Sequence, residues 1–356
     1  MHSASFLHGL FNGQRATAVT LTLYLILLAA CSGDDGGQPP TAFPATPSPT
    51  SPAEHISTGA KPWGVALDPG RAFAYTANEG ENTVSFLDLK AGVAVQTLPA
   101  GDGPSSIAIN TQTRLIYVTN FVAATVSVID ATDGGTVATV PVGERPWASV
   151  VDEVRNRIYI ANAGGNSISV IEGGDNATVD TFSGIGEPWG LELSPDGGRL
   201  YVSSVAESAV FVVDALSGEV EDTISVGQRP RGLALDADSG MLYTVNVEDS
   251  TVSVIDLDAG EVVDTIDVER APYAIALDTE GRRGYVANSF SASVSVIDLQ
   301  ANEVIATLPT AANPWDVATA GGALYVACSG SSQLLVFSAE LLAGLPQAAS
   351  DNVESQ

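Results

Sequence analysis

The side chains best equipped for chemistry in this chain stand in one column. Seven prolines, Pro62, Pro104, Pro146, Pro188, Pro230, Pro272 and Pro314, are followed directly by Trp63, Ser105, Trp147, Trp189, Arg231, Tyr273 and Trp315. All four tryptophans of the protein belong to that set. Indole and phenol faces stack on aromatic groups and attract cations, while arginine pairs with anions and with ring faces. The positions before the prolines add Lys61, Arg145 and Arg229, with Arg270 close by. Two acids interrupt neighbouring small-residue columns: Asp316, two residues after Pro314, and Glu192, in a mostly alanine column. With Arg231 they are the candidates for acid–base and anion-binding work.

Other chemistries lack their residues. The histidines are His2, His8 and His55, and the cysteines are Cys31 and Cys328, so no pair is spaced for a metal, a haem or a Ser-His-Asp triad. Asp68, Asp152, Asp236 and Asp278 form a carboxylate column of the kind calcium uses, but turns follow directly and the column reads as turn caps. No catalytic residue, cofactor or metal is assigned. With 42 acidic against 14 basic residues the formal charge is −28, which argues against duplex nucleic acid as a general partner.

The elements that position these side chains follow from the spacing of the prolines, which is 42 residues throughout. Further columns keep the same period. Tyr75, Tyr117, Tyr159, Tyr201, Tyr243 and Tyr285 lie 13 residues after the first six prolines, and Tyr325 lies 11 after the seventh. Asn78, Asn120, Asn162, Ser204, Asn246, Asn288 and Cys328 follow three residues later, and an acidic column from Asp88 to Asp298 closes the next run. Runs such as Thr251-Val252-Ser253-Val254-Ile255 alternate and are β-branched, and Asp-Pro-Gly, Pro-Asp-Gly and Ala-Gly turns separate them. Four strands, A to D, in about 42 residues make one β-propeller blade. The fold expected is all-β: a seven-bladed β-propeller of four-stranded antiparallel blades over residues 54–338, followed by a C-terminal tail, 339–356. The last copy stops after strand C, and His55-Ile56-Ser57-Thr58-Gly59 resembles the end of a D strand. An N-terminal strand is therefore expected to complete the last blade and close the ring. The tyrosines are expected to pack between blades with partnered hydroxyls, and the asparagines and acids to cap turns.

Tyr117-Val118-Thr119-Asn120, Tyr75-Thr76-Ala77-Asn78, Tyr285-Val286-Ala287-Asn288 and the Val-Ser-Val-Ile-Asp runs resemble the YVTN-type (YncE-like) β-propeller repeat family. That resemblance implies the fold; the family spans surface-layer proteins, periplasmic binding proteins and enzyme subunits, so it leaves the function open.

In such a propeller the loops entering strand A surround the mouth of the central channel, on the face shared with the B–C loops. Lys61, Trp63, Arg145, Trp147, Trp189, Arg229, Arg231, Tyr273, Trp315, Asp316 and Glu192 then gather at the mouth and in the channel, as a positive funnel with aromatic walls. One reading has the rings close the channel top as scaffold. The other has them bind a small anionic or aromatic ligand or a partner protein's side chain. The function expected is a non-catalytic binding or scaffold protein acting through the D–A/B–C loop face; the alternative is a propeller enzyme or enzyme subunit of lactonase, lyase or dehydrogenase type using the channel.

The N-terminus reads as an address. Ala16–Ala30 is apolar and uncharged, follows Arg15, and ends Leu28-Ala29-Ala30-Cys31, which resembles a bacterial lipoprotein lipobox. The resemblance implies a signal peptide over 1–30, lipidation of Cys31, and a membrane partner through that anchor. Residues 31–53 read as a Pro/Ser/Thr/Gly tether. Ser32 after the cysteine favours the outer membrane, with the folded part in the periplasm or at the cell surface.

Overall fold

Each repeat folds as four antiparallel strands, and the fifth blade shows the pattern: strand A Pro230–Asp236, B Met241–Asn246, C Thr251–Asp256 and D Glu261–Asp267. A computed structural model of the chain describes residues 54–346, which lie within one compact unit. The signal segment, Cys31 and the tether fall outside the described residues, as do residues 347–356. Seven four-stranded sheets are present. Strand A of each blade contacts strand A of the next, and Pro314–Ala320 contacts Pro62–Asp68. The molecule is a closed, seven-bladed β-propeller. Closure follows the expected route: Glu54–Ser57 pairs antiparallel with Gln333–Phe337 as the outer strand of the last blade.

The core is divided among the blade interfaces. In one, Ala66, Tyr75, Val84 and Phe86 of the first blade meet Ile107, Ile116 and Ile129 of the second. Strand residues alternate between the two neighbouring blades, because successive side chains leave opposite faces of a sheet. Burying each such side chain stabilises by roughly 1.5–3 kcal/mol, and Ile116→Ala would cost about 2–5 kcal/mol. Strand D is the exposed rim; Glu261, Asp264 and Asp267 keep it from pairing with other sheets.

Two expected roles need correction. The asparagines are buried latches, not turn caps. Asn78 Nδ2 donates to Thr83 Oγ1 at 3.1 Å and Ser85 Oγ at 2.9 Å in strand C, and Asn120, Asn162 and Asn246 repeat the pattern. They sit at the end of strand B, and the Oδ1 atoms of Asn120, Asn162 and Asn246 accept from no turn amide. The tyrosines are buried between blades, but their hydroxyls are not uniformly paired. Tyr159 Oη donates to the Ala215 carbonyl at 2.9 Å, whereas Tyr117 Oη has no partner. Burial of Tyr117 raises its pKa to about 12. The acidic column does cap: Asp88 Oδ1 accepts from the amides of Lys90 and Ala91, both at 2.9 Å. So does the strand A column, where Asp152 Oδ1 accepts from Val154 and Arg155 at 3.0 and 2.9 Å.

Past Ser338 the chain forms α1 (Ala339–Ala343), capped by the Ser338 side chain. Leu342 and Leu345 pack into the interface of the last two blades, and the buried Arg283 guanidinium donates to the carbonyls of both.

Candidate functional site

Two backbone features repeated in each blade aim the residue after the proline. The residue before it is left-handed each time: Lys61, Gly103, Arg145, Glu187, Arg229, Ala271 and Asn313 have φ between 43° and 68°. That conformation costs a non-glycine residue about 1–2 kcal/mol. Directly after the proline the A–B register shifts, as between Pro62 and Gly64 or Pro230 and Leu233. A bulge of this kind re-aims the side chain it carries. The outcome is a ring of side chains across the channel mouth.

The ring is continuous. Trp63 stacks on Trp315 with centroids 5.0 Å apart and lies 5.5 Å from Trp147. Trp147 lies 4.2 Å from Trp189, and Tyr273 lies 4.5 Å from Trp315. Arg231 fills the gap between the two ends, its guanidinium carbon 4.0 Å from the Trp189 centroid and 4.2 Å from that of Tyr273. It is only 5% exposed, and desolvation lowers its pKa to about 10, which still leaves it charged at neutral pH. Ser105 is the single small member. It stands between Trp63 and Trp147 in blade order, is buried, and donates to the Pro146 carbonyl at 3.1 Å. The five aromatic members remain partly exposed.

Below the ring lies a cavity of about 150 Å³, lined by the five aromatic side chains, Ser106 and Asp316. Asp316 Oδ2 accepts from the Val65 amide at 2.9 Å, joining last blade to first, and Oδ1 accepts from its neighbour Val317 at 2.9 Å. Glu192 occupies strand A of the fourth blade (Pro188–Leu193) and makes no hydrogen bond to the described residues. Both acids keep some accessible surface yet lie deep in the protein; Asp316 lines the cavity and Glu192 does not. Burial raises Glu192 to about 8 and Asp316 to about 6, the latter held down by its two amide donors. Arg231, stacked in the ring, pairs with neither. The converging trio required for acid–base work is not assembled.

The rim differs from the positive funnel expected. Lys61 is bound to Glu79 at 3.2 Å. Arg145 and Arg229 are exposed, Arg145 with its guanidinium 5.9 Å from the Phe121 ring. Asp102 and Glu269 stand in the D–A loops and Glu207 and Asp249 in the adjoining B–C turns, accepting from Asn82, Ser291, Gly186 and Gln228 respectively. Acids are used there to satisfy loop donors, and they cancel the basic residues. Sequence columns also missed two apolar side chains on this face: Phe290, 65% exposed, and Val122, 70% exposed, both in B–C turns. Among the described residues no cluster of three or more metal-ligating side chains occurs.

No protein-family model and no curated protein matches the chain. Among solved structures it is similar to a chain of Kuenenia stuttgartiensis hydrazine synthase, with a TM-score of 0.71 and 19% identity over 85% of this chain and 99% of that one. At that identity the likeness shows the fold alone.

Proposed function

We propose that this chain is a lipid-anchored, extracytoplasmic propeller of the YVTN-repeat type that acts as a non-catalytic binding module. Its docking surface is the channel mouth. The observation that carries this reading is the closed but partly exposed ring of Trp63, Trp147, Trp189, Arg231, Tyr273 and Trp315. Tryptophan, tyrosine and arginine are the residue types that dominate binding interfaces, and the tryptophans and tyrosine of this ring are partly exposed. Phe290 and Val122 extend the apolar surface outward, and Arg145 and Arg229 supply exposed polar anchors.

Chain direction supports the anchor. Glu54 pairs with Val336, at the end of strand C remote from the mouth, while Ser57 pairs with Gln333 beside it. A tether joined at Glu54 would therefore enter the propeller on the side opposite the mouth. Cys31→Ser is expected to release the protein from the membrane fraction. The triple variant Arg145→Ser, Arg229→Ser, Phe290→Ser changes only exposed side chains and is expected to keep the wild-type Tm while losing its co-purifying partner. Retention of that partner by the triple variant would overturn the mouth as the docking surface.

A catalytic channel is the second reading, favoured by the two acids with raised pKa values, Glu192 and Asp316. It requires Glu192 and Asp316 to serve one site, whereas Asp316 lines the cavity at the mouth and Glu192 does not.

A further inference from the structure

We infer that the cavity beneath the ring is a binding site for one small organic ammonium ion of about the size of choline, held between aromatic faces and the Asp316 carboxylate. The inference rests on the mouth being a binding surface and names the ligand class that surface admits.

Size sets the first limit. A cavity of about 150 Å³ is of the order that takes a benzene-sized guest. Chemistry sets the second. The side chains that line it are the aromatic rings of Trp63, Trp147, Trp189, Tyr273 and Trp315, the carboxylate of Asp316 and the hydroxyl of Ser106, and no lysine or arginine is among them. Ring faces carry negative quadrupole density, and several of them around a desolvated cation are the usual host for methylated ammonium groups.

The ring already holds one cation, the Arg231 guanidinium between Trp189 and Tyr273. Its repulsion of a guest is opposed by Asp316, which lines the cavity directly, whereas Arg231 does not. The wider field acts in the same direction. A chain of formal charge −28, with Asp102, Glu207, Asp249 and Glu269 around the mouth, gathers cations and repels anions.

The test uses the full chain and three isosteres: choline, its neutral carbon analogue dimethylbutanol, and the anionic dimethylbutanoate. Calorimetry and tryptophan fluorescence are read together. Choline is expected to bind and perturb the indole emission, dimethylbutanol to bind about tenfold more weakly or worse, and dimethylbutanoate not to bind. Trp315→Leu and, separately, Asp316→Asn are each expected to lower choline affinity at least about tenfold. If dimethylbutanol binds as tightly as choline, or the anion binds better, the cation site is wrong. No choline binding, combined with partner loss in the rim triple variant, sinks this inference while the binding-module reading stands. No choline binding and an unaffected partner sink both.

Discussion

The guanidinium of Arg231 lies 4.0 Å over the indole of Trp189, so the one cation of the mouth ring completes the aromatic stack instead of opening it. With Tyr273 on its other side at 4.2 Å, it depends on being flat. A lysine ammonium is a compact, strongly hydrated point charge and cannot stack between two rings. Arg231→Lys is therefore expected to destabilise the protein by roughly 1–2 kcal/mol, read by urea unfolding, with a red-shifted tryptophan emission as water enters the ring. Wild-type stability and emission would show that the stack contributes nothing.

Glu192 gives a pH dependence of definite sign. Burial raises its pKa from 4.5 to about 8, so the native state holds its proton more tightly than the unfolded chain. Its contribution is fully present below pH ~4.5 and is lost as pH rises through ~8. Asp316, raised from 3.8 to about 6, acts in the same direction over a lower window. Glu192→Gln should leave stability near pH 4.5 almost unchanged and raise it by on the order of 5 kcal/mol at pH 9 relative to wild type. Chemical denaturation of both proteins at the two pH values measures the difference. A constant difference across the range would place the Glu192 carboxyl in water.

The blade latch predicts a compensating pair. A Cβ at Gly101 would lie 2.6 Å from Asn120 Nδ2, and Gly59, Gly143 and Gly227 crowd Asn78, Asn162 and Asn246 in the same way. Where the glycine position holds Ile185 or Ala311, the asparagine position holds the smaller Ser204 or Cys328, while the sixth blade keeps Asn288 beside Glu269. Gly101→Ala alone should cost about 1–3 kcal/mol, and Asn120→Ser alone about 1–2 kcal/mol from lost hydrogen bonds. Combined, they should cost at least about 1 kcal/mol less than the two added together. Strict additivity in a double-mutant cycle would mean that the two sites do not compete for one space.

How much of this was legible beforehand depends on how far each interaction reaches in the chain. The blade pattern is local: alternation in Thr251–Asp256 and the period of the prolines suffice for strands, blade count and the closing role of Glu54–Ser57. The ring of Trp63 to Trp315 was legible as a column, since equal positions in equal blades must converge on the axis. What the columns hid were contacts between them. Gly59 meets Asn78 across a loop and a strand, so the asparagine appears as a cap until the two columns are compared. The charge of the mouth was misjudged because Glu207 and Asp249 belong to B–C turns, while the basic residues counted belong to D–A loops; folding places both on one rim. Helix α1 is too short for a period to show, and what fixes it is Arg283, in a different repeat.

The central claim is that the mouth, and not the opposite face, meets a partner. Site-specific photo-crosslinking in the intact cell tests it most directly, with the crosslinker at position 229 or 290 on the mouth and at position 154 on the opposite face, where Val154 is 84% exposed. The account predicts one discrete adduct from positions 229 and 290 and none from 154. The same adduct from all three positions, or an adduct from 154 alone, would contradict it.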